Sequence, residues 1–155
     1  MANPSLITLP DERLRKPSKP INEKEIGSPS FKGYCDDLVR AMNRFEGVGI
    51  AGVQVGDLRC IAVVQAEDGP IVIINPKIRS RSRKRDSMEE GCLSVPKHFG
   101  SVTRAHKIEV EYTTREGLRV RKKVIGFVAR IFQHEIDHMD GTLFIDRAEK
   151  VYVTT

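Results

Sequence analysis

The sequence predicts an α+β fold in which antiparallel or mixed β-sheets pack around a central helix, with a second helix in the N-terminal half. Three observations carry this expectation. Behind Ser28-Pro29, an N-cap and first helical position, Tyr34, Cys35, Leu38, Val39, Met42 and Phe45 recur at helical spacing as one apolar stripe. Two hairpins follow from strand-like runs joined by glycine-containing turns. Arg59 to Val64 and Ile71 to Ile74 flank Ala66-Glu67-Asp68-Gly69-Pro70, and Lys107 to Tyr112 and Leu118 to Arg121 flank Arg115-Glu116-Gly117. Phe127 to Gly141 reads as the central helix, entered through Gly126 and closed by Asp140-Gly141.

In chain order, Leu6-Ile7-Thr8-Leu9 reads as a short strand and Pro10-Asp11-Glu12-Arg13 as the turn after it. Pro17 and Pro20 keep the next stretch extended, since each fixes its own φ and biases its predecessor away from the helical region. Cys35 lies within the apolar stripe and reads as a core thiol. Gly47-Val48-Gly49-Ile50-Ala51-Gly52-Val53-Gln54-Val55-Gly56 ends the first helix and, taken alone, is a glycine cap and loop. A dinucleotide-binding turn is excluded there, because a helix precedes and a strand follows, the reverse of that motif. Small residues around the one amide, Gln54, mark a place where backbone or ligand approaches closely. Cys60 reads as a packed strand residue. In an extended chain Arg79, Arg81, Arg83 and Arg85 would share one side, a cationic ridge. Its plain reading is a solvated edge strand guarded by charge, favoured because no aromatics interleave; the alternative is contact with RNA phosphates. Glu89 to Pro96 interrupts the strands with a glycine-flanked cysteine, and Thr142-Leu143-Phe144-Ile145-Asp146 reads as a last short strand.

At 155 residues the chain is expected to form a single domain, 1–155, large enough to bury a core without staples. No apolar run reaches membrane-spanning length, and Met1-Ala2-Asn3-Pro4 lacks the layout of a signal peptide, so the expected compartment is the cytoplasm. Three widely spaced cysteines argue against a disulfide framework. A net charge of +5 fits polyanion contact and equally an ordinary cytosolic enzyme.

The chemistry concentrates on the central helix. His134 and His138 stand four residues apart on one face, and Glu135 follows the first histidine, the His-Glu-x-x-His pattern of a catalytic zinc-type site. Such a site needs a third ligand and an open fourth position. Cys92, His98, His106 and several carboxylates are candidates. Cys92 is preferred because a thiolate is a strong, soft ligand and its flanking glycine lets backbone crowd the metal; His98 and His106 read as loop residues. Phe127, Ile131, His134 and His138 fall at steps of four, three and four, an apolar half-face running into the histidine pair. Plain core packing is the other reading of Phe127 and Ile131.

Three segments together resemble the peptide deformylase family: Gly47-Val48-Gly49-Ile50-Ala51-Gly52-Val53-Gln54, Glu90-Gly91-Cys92-Leu93-Ser94 and Gln133-His134-Glu135-Ile136-Asp137-His138. Leu9 to Arg15, Ile74-Asn75-Pro76 and Asp140 to Arg147 echo it, so the resemblance spans nearly the whole chain in the family's order. It implies removal of the formyl group from the N-terminal methionine of new polypeptides, with release of formate. It implies one divalent metal, usually Fe2+, with Zn2+, Ni2+ or Co2+ able to take the site, held by Cys92, His134 and His138. Glu135 would take a proton from water and deliver it to the departing amine, while Gln54 and the backbone N–H of Leu93 hold the oxyanion. Val48, Gly49, Met88, Gly91, Phe127, the stem of Arg130 and Ile131 would bind substrate, and Asp137 would pair with Arg104. N-formyl-methionyl nascent peptides are the implied partners of a monomeric enzyme.

The chain departs from the family's pattern at Ala51-Gly52-Val53-Gln54, where two alanines and often a proline are usual; Gly52 is expected to loosen the backbone beside Gln54. It also stops at Thr155, where many bacterial members continue into a long C-terminal helix, so it resembles the short forms. That leaves the Arg79 to Arg85 ridge as an expected route to transient ribosome contact. Two other functions compete. A peptidase cutting internal peptide bonds would normally take its third ligand downstream of the helix, whereas Cys92 lies upstream. A basic RNA-binding protein with a structural metal would close the site with a fourth protein ligand and have no use for Glu135 or Gln54.

Overall fold

A computed structural model describes residues 3–155; Met1 and Ala2, the start of the segment read above for a signal peptide, lie outside the described residues. Helix α1 (Pro29–Arg44) begins where the sequence caps it, with Ser28 Oγ accepting from the Phe31 N–H at 3.1 Å. It buries Phe31, Cys35, Leu38, Ala41 and Met42. These meet one face of a five-stranded antiparallel sheet, ordered β1 (Gly49–Ala51), β2 (Ile61–Ala66), β3 (Gly69–Arg81), β6 (Lys107–Thr113) and β7 (Arg119–Ile125). Helix α2 (Gly126–Met139) covers the other face.

Strand β2 shows why its sequence is an unbroken apolar run. Ile61 and Val63 point to the α1 cluster, while Ala62 and Val64 point to the α2 cluster. A strand buried on both faces loses the polar alternation of a half-exposed one. Each fully buried Val or Ile contributes roughly 1.5–3 kcal/mol, so this central strand fixes both helices against the sheet. Helix α2 is anchored at a second point by Gln133, whose amide donates to Ala105 O at 3.0 Å and accepts from Ala105 N at 3.2 Å.

The second sheet has three strands, ordered β4 (Arg85–Cys92), β5 (Val95–Ala105) and β8 (Val151–Val153). The sequence predicts none of β4, β5 and β8, because Gly91, Pro96 and Gly100 break any clean alternation and β8 is exposed throughout. The sheet exists through pairing: β4 and β5 form a hairpin at Cys92↔Val95, and His98, Phe99 and Gly100 take on β8.

Several expectations are corrected. Leu6 to Leu9 is not a strand: the Ile7 N–H donates to Gln54 O at 2.7 Å and the Leu9 N–H to Ser94 O at 2.9 Å, so its partners sit on two different elements. Pro10 to Arg13 leads into a 3-10 turn, Glu12–Arg15, capped by Asp11. Thr142 to Asp146 is not a strand either. Phe144–Arg147 is a one-turn helix, α3, because Asp146 turns back to accept from Leu143 N at 2.8 Å while Leu143 and Phe144 are buried beside Val95 and Val102. The segment Gly47 to Gly56 is more than a loop, holding β1 and a 3-10 turn, Gly52–Val55. Gly52 does not loosen it: a Cβ there would lie 2.9 Å from both Asp57 O and Ile61 Cγ2, so the glycine admits a tight contact. The arginines do not form one ridge. Arg79 lies on β3 and pairs with Glu111, Arg83 lies in the connection and Arg85 opens β4. His98 lies on β5 rather than a loop, and His106 in the bend between β5 and β6. Among the described residues no helix is long and apolar enough to cross a membrane.

Candidate metal centre and active site

One turn of α2 sets His134 above His138, their rings 5.2 Å apart, and the β4–β5 hairpin delivers Cys92 to the same point. Cys92 Sγ lies 3.4 Å from His138 Nε2, and the ligand atoms of Cys92, His134 and His138 all fall within 4.8 Å of one another. This is the one such metal-ligating group among the described residues. Tetrahedral bonds of ordinary zinc–sulfur and zinc–nitrogen length place S and N about 3.5 Å apart, so the spacing fits a shared ion. A soft thiolate and two imidazoles are also the right donors. Burial lowers the basicity of His134, yet the hydrogen bonds it donates to Cys92 and Glu90 outweigh this and push its pKa up to about 10.

Glu90 orients the first ligand. Its Oε1 accepts from His134 Nδ1 at 3.0 Å, and Arg104 holds the same carboxylate in a two-pronged grip at 2.6 and 2.9 Å. Arg130 adds a contact at 2.5 Å. Burial alone would raise the Glu90 carboxyl, but the hydrogen bonds from His134 and Arg104 bring it down to about 2. Arg104 also donates to Asp137 Oδ2 at 2.9 Å, the ion pair expected above, and Arg147 donates to both oxygens of Asp137. Sequence reading placed Glu90 in a motif without giving it a role; its one signal was an acidic residue two positions before the cysteine ligand. The guanidinium of Arg130, expected only to lend its stem to a pocket, is held by Glu90, Val102 O and Asp86 O.

Glu135 lies beside the ligands, its Oε1 3.9 Å from His134 Nε2, while Oε2 is buried without a hydrogen-bond partner. Burial lifts its pKa to about 7, against the charges of His134 and Arg104. Gly49 makes this possible. A Cβ at Gly49 would lie 2.9 Å from Glu135 Oε1 and 2.9 Å from Ile131 Cγ2, so only glycine lets β1 close over that carboxylate. Gln54 is buried, with Oε1 accepting from Ala51 N at 2.9 Å and Nε2 donating to Ser94 Oγ at 3.0 Å and facing Cys92 Sγ at 3.8 Å. Ser94 closes the Glu90 to Ser94 segment, and its bond to Gln54 comes only with the fold.

These groups line a cavity of about 530 Å³. Val48, Gly49, Gln54, Met88, Gly91, Cys92, Leu93, Phe127, Arg130, Ile131, His134 and Glu135 all border it, so the expected site residues converge, except His138, which lies behind as a buried ligand. Val48, Met88 and Phe127 remain 49%, 44% and 50% exposed, an apolar mouth without a cover. Ile131 serves both readings, packing in the core and touching the cavity.

A helix bearing two histidines and a glutamate, joined by a thiolate from a neighbouring hairpin, belongs to the class of metal-dependent hydrolases. The model of one family, described as polypeptide deformylase, matches residues 4–153. A peptide deformylase of Halothermothrix orenii is 45% identical over 143 residues, covering 91% of this chain and 90% of its own length. The crystal structure of Thermotoga maritima peptide deformylase superposes with a TM-score of 0.91 at 33% identity, over 97% of this chain and 100% of that one. A class I type b peptide deformylase from Acinetobacter baumannii, bound to Met-Ala-Ser, matches with a TM-score of 0.90 at 33% identity, over 94% and 98% of the two chains. The chain belongs to the polypeptide deformylase family.

Proposed function

We propose that this single catalytic domain, acting as a monomer in the cytoplasm, hydrolyses the formyl group from the N-terminal methionine of new polypeptides and releases formate. Cys92, His134 and His138 would hold the divalent ion, Fe2+ in the cell, with Zn2+, Ni2+ or Co2+ able to replace it. That ion supplies Lewis acidity, which makes water a proton donor near neutral pH. Glu135 takes the proton as the oxygen of water bonds to the formyl carbon, and its lifted pKa suits transfer in both directions near pH 7. Negative charge then builds on the formyl oxygen, where the Gln54 amide and the Leu93 N–H donate. As the C–N bond breaks, Glu135 returns the proton to the amine nitrogen. Val48, Met88, Phe127 and Ile131 would receive the methionine side chain, with the Gly49 and Gly91 backbones flanking the peptide. The Met-Ala-Ser carried by the A. baumannii relative is the peptide that deformylation of formyl-Met-Ala-Ser leaves.

The observation that carries the reading is the buried Glu135 carboxylate beside His134, with the Gln54 amide beside Cys92, on one cavity wall, two groups that a closed structural site would not need. The test is formate release from formyl-Met-Ala-Ser by anaerobically purified protein. Glu135→Ala should lower kcat by roughly 10²–10⁴-fold while metal content stays, and Cys92→Ala should empty the site; robust turnover by Glu135→Ala would sink the assignment. Cleavage of an internal or acetylated peptide at a comparable rate would favour the peptidase instead.

Ribosome contact through the Arg79 to Arg85 stretch belongs to the same reading, and charge distribution supports it. Residues 77–85 and 107–123 carry twelve basic and three acidic side chains, leaving fourteen basic and eighteen acidic in the rest of the chain. The net positive charge therefore sits on the β3–β6–β7 end. Reversing three of the arginines should weaken ribosome co-sedimentation and flatten its salt dependence; unchanged binding would refute it.

A further inference from the structure

Three hydrogen bonds close a ring around the two groups assigned to the oxyanion. The Ile7 N–H donates to Gln54 O at 2.7 Å, and the Leu9 N–H to Ser94 O at 2.9 Å. Gln54 Nε2 completes the ring by donating to Ser94 Oγ at 3.0 Å. Ser94 follows Leu93, whose backbone N–H is the second donor. Leu93 is pinned through its side chain as well: a Cβ at Gly47 would lie 2.8 Å from Leu93 Cδ1, so that side chain packs directly on the glycine. Ser94 is fully buried and, unlike Gln54, Cys92 and Leu93, does not border the cavity.

The ring decides which end of the Gln54 amide faces the reaction. A backbone N–H only donates, so Ala51 N at 2.9 Å requires the Gln54 oxygen opposite it. The amide nitrogen then points toward Ser94 and Cys92. It carries two hydrogens. Ser94 Oγ takes one, which leaves the other for an oxygen in the cavity. Without that hydroxyl the amide would keep a single anchor, at Ala51, and could swing about its terminal torsion, whose energy well is broad. An oxyanion donor works only if it is already aimed when charge develops. Resting on the deformylase reading, we infer that Ser94 is a positioning residue whose hydroxyl holds the Gln54 amide where the oxyanion forms. Ser94 acts through Gln54 and touches no substrate.

Formate release from formyl-Met-Ala-Ser, read with metal content, tests this. Ser94→Ala should lower kcat roughly ten- to hundredfold, below the roughly 10²–10³-fold that losing a whole oxyanion donor costs. KM should stay nearly unchanged, because the contact strengthens only in the transition state. Gln54→Met keeps much of the side chain's size and removes its donor. In that background Ser94→Ala should lower kcat by less than about twofold more, since the two substitutions break one unit. Wild-type kcat in Ser94→Ala, or a loss of the same size in both backgrounds, overturns the proposal. A second readout needs no turnover. In 15N NMR of the zinc-loaded protein, the Gln54 side-chain amide protons are assigned by their loss in Gln54→Met. They should exchange with solvent roughly tenfold faster in Ser94→Ala, as one lost hydrogen bond predicts. Unchanged exchange overturns the positioning role. Absent formate release by the wild type counts against the deformylase reading instead, and the exchange rates still decide the contact.

Discussion

Arginines and carboxylates meet in two places in this protein, in like chemistry and unlike surroundings. Around Glu90 and Asp137 the carboxylates are buried, with Arg104 4% and Arg130 5% exposed, and each acid answers to two guanidinium groups, the second on Asp137 being the partly exposed Arg147. On β3, β6 and β7, Arg79, Arg119 and Arg121 reach Glu111 and Glu109 across open sheet surface. Removing charge from water is costly, so the buried cluster is held only by its completeness. The exposed pairs are screened by solvent and salt and contribute little each. The buried cluster thus acts as a frame for His134, whereas the surface pairs hold no ligand in place.

The sharpest way to break this contrast is Glu90→Ala. It strands Arg104 and Arg130 without their shared anion, and should cost about 3–5 kcal/mol in chemical denaturation. His134 also loses the group that fixes its ring, so metal affinity should fall roughly 10–100-fold, read by metal content after dialysis.

An intermediate case sharpens the comparison. Asp57 accepts from Arg59 and Tyr34; burial raises its carboxyl, but these bonds prevail and hold it below the ordinary carboxylate range. Because the folded value is lowered, its stabilisation is complete at neutral pH, above the unfolded carboxylate value, and is lost as pH falls through the folded one. Asp57→Asn should cost about 1–2 kcal/mol at pH 7. The gap from wild type should close on acidification, and a gap that widens toward pH 3 would contradict the assignment. The smallest effect belongs to the surface: Glu111→Gln should change stability by less than about 1 kcal/mol, and less still at high salt.

Legibility in the sequence tracks the range of the interaction. The His134–Glu135–His138 arrangement was readable because helix geometry alone places residues four apart on one face. The cap at Ser28, the stripe of α1 and both hairpins of the five-stranded sheet are equally local. Cys92, forty-two residues before His134, was preferred modestly on its chemistry, and resemblance made it specific. Leu6 to Leu9 and Thr142 to Asp146 misled because a run of a few apolar residues lacks enough periods to tell strand from turn of helix; their neighbours decided.

By itself, then, the sequence determined the catalytic helix, the helix and hairpins that carry the main sheet, and a family pattern with its ligands in order. Only the tertiary structure decided that Glu90 orients His134, that Gly49 lies against Glu135, that Gly52 packs on Asp57 and that β8 stands behind Phe99. Each of these depends on strand register and on atoms brought within a few ångströms from distant parts of the chain. A one-residue slip of β4 against β5 would turn Glu90 and Gly91 each to the other face, and no local pattern in the sequence records which register wins.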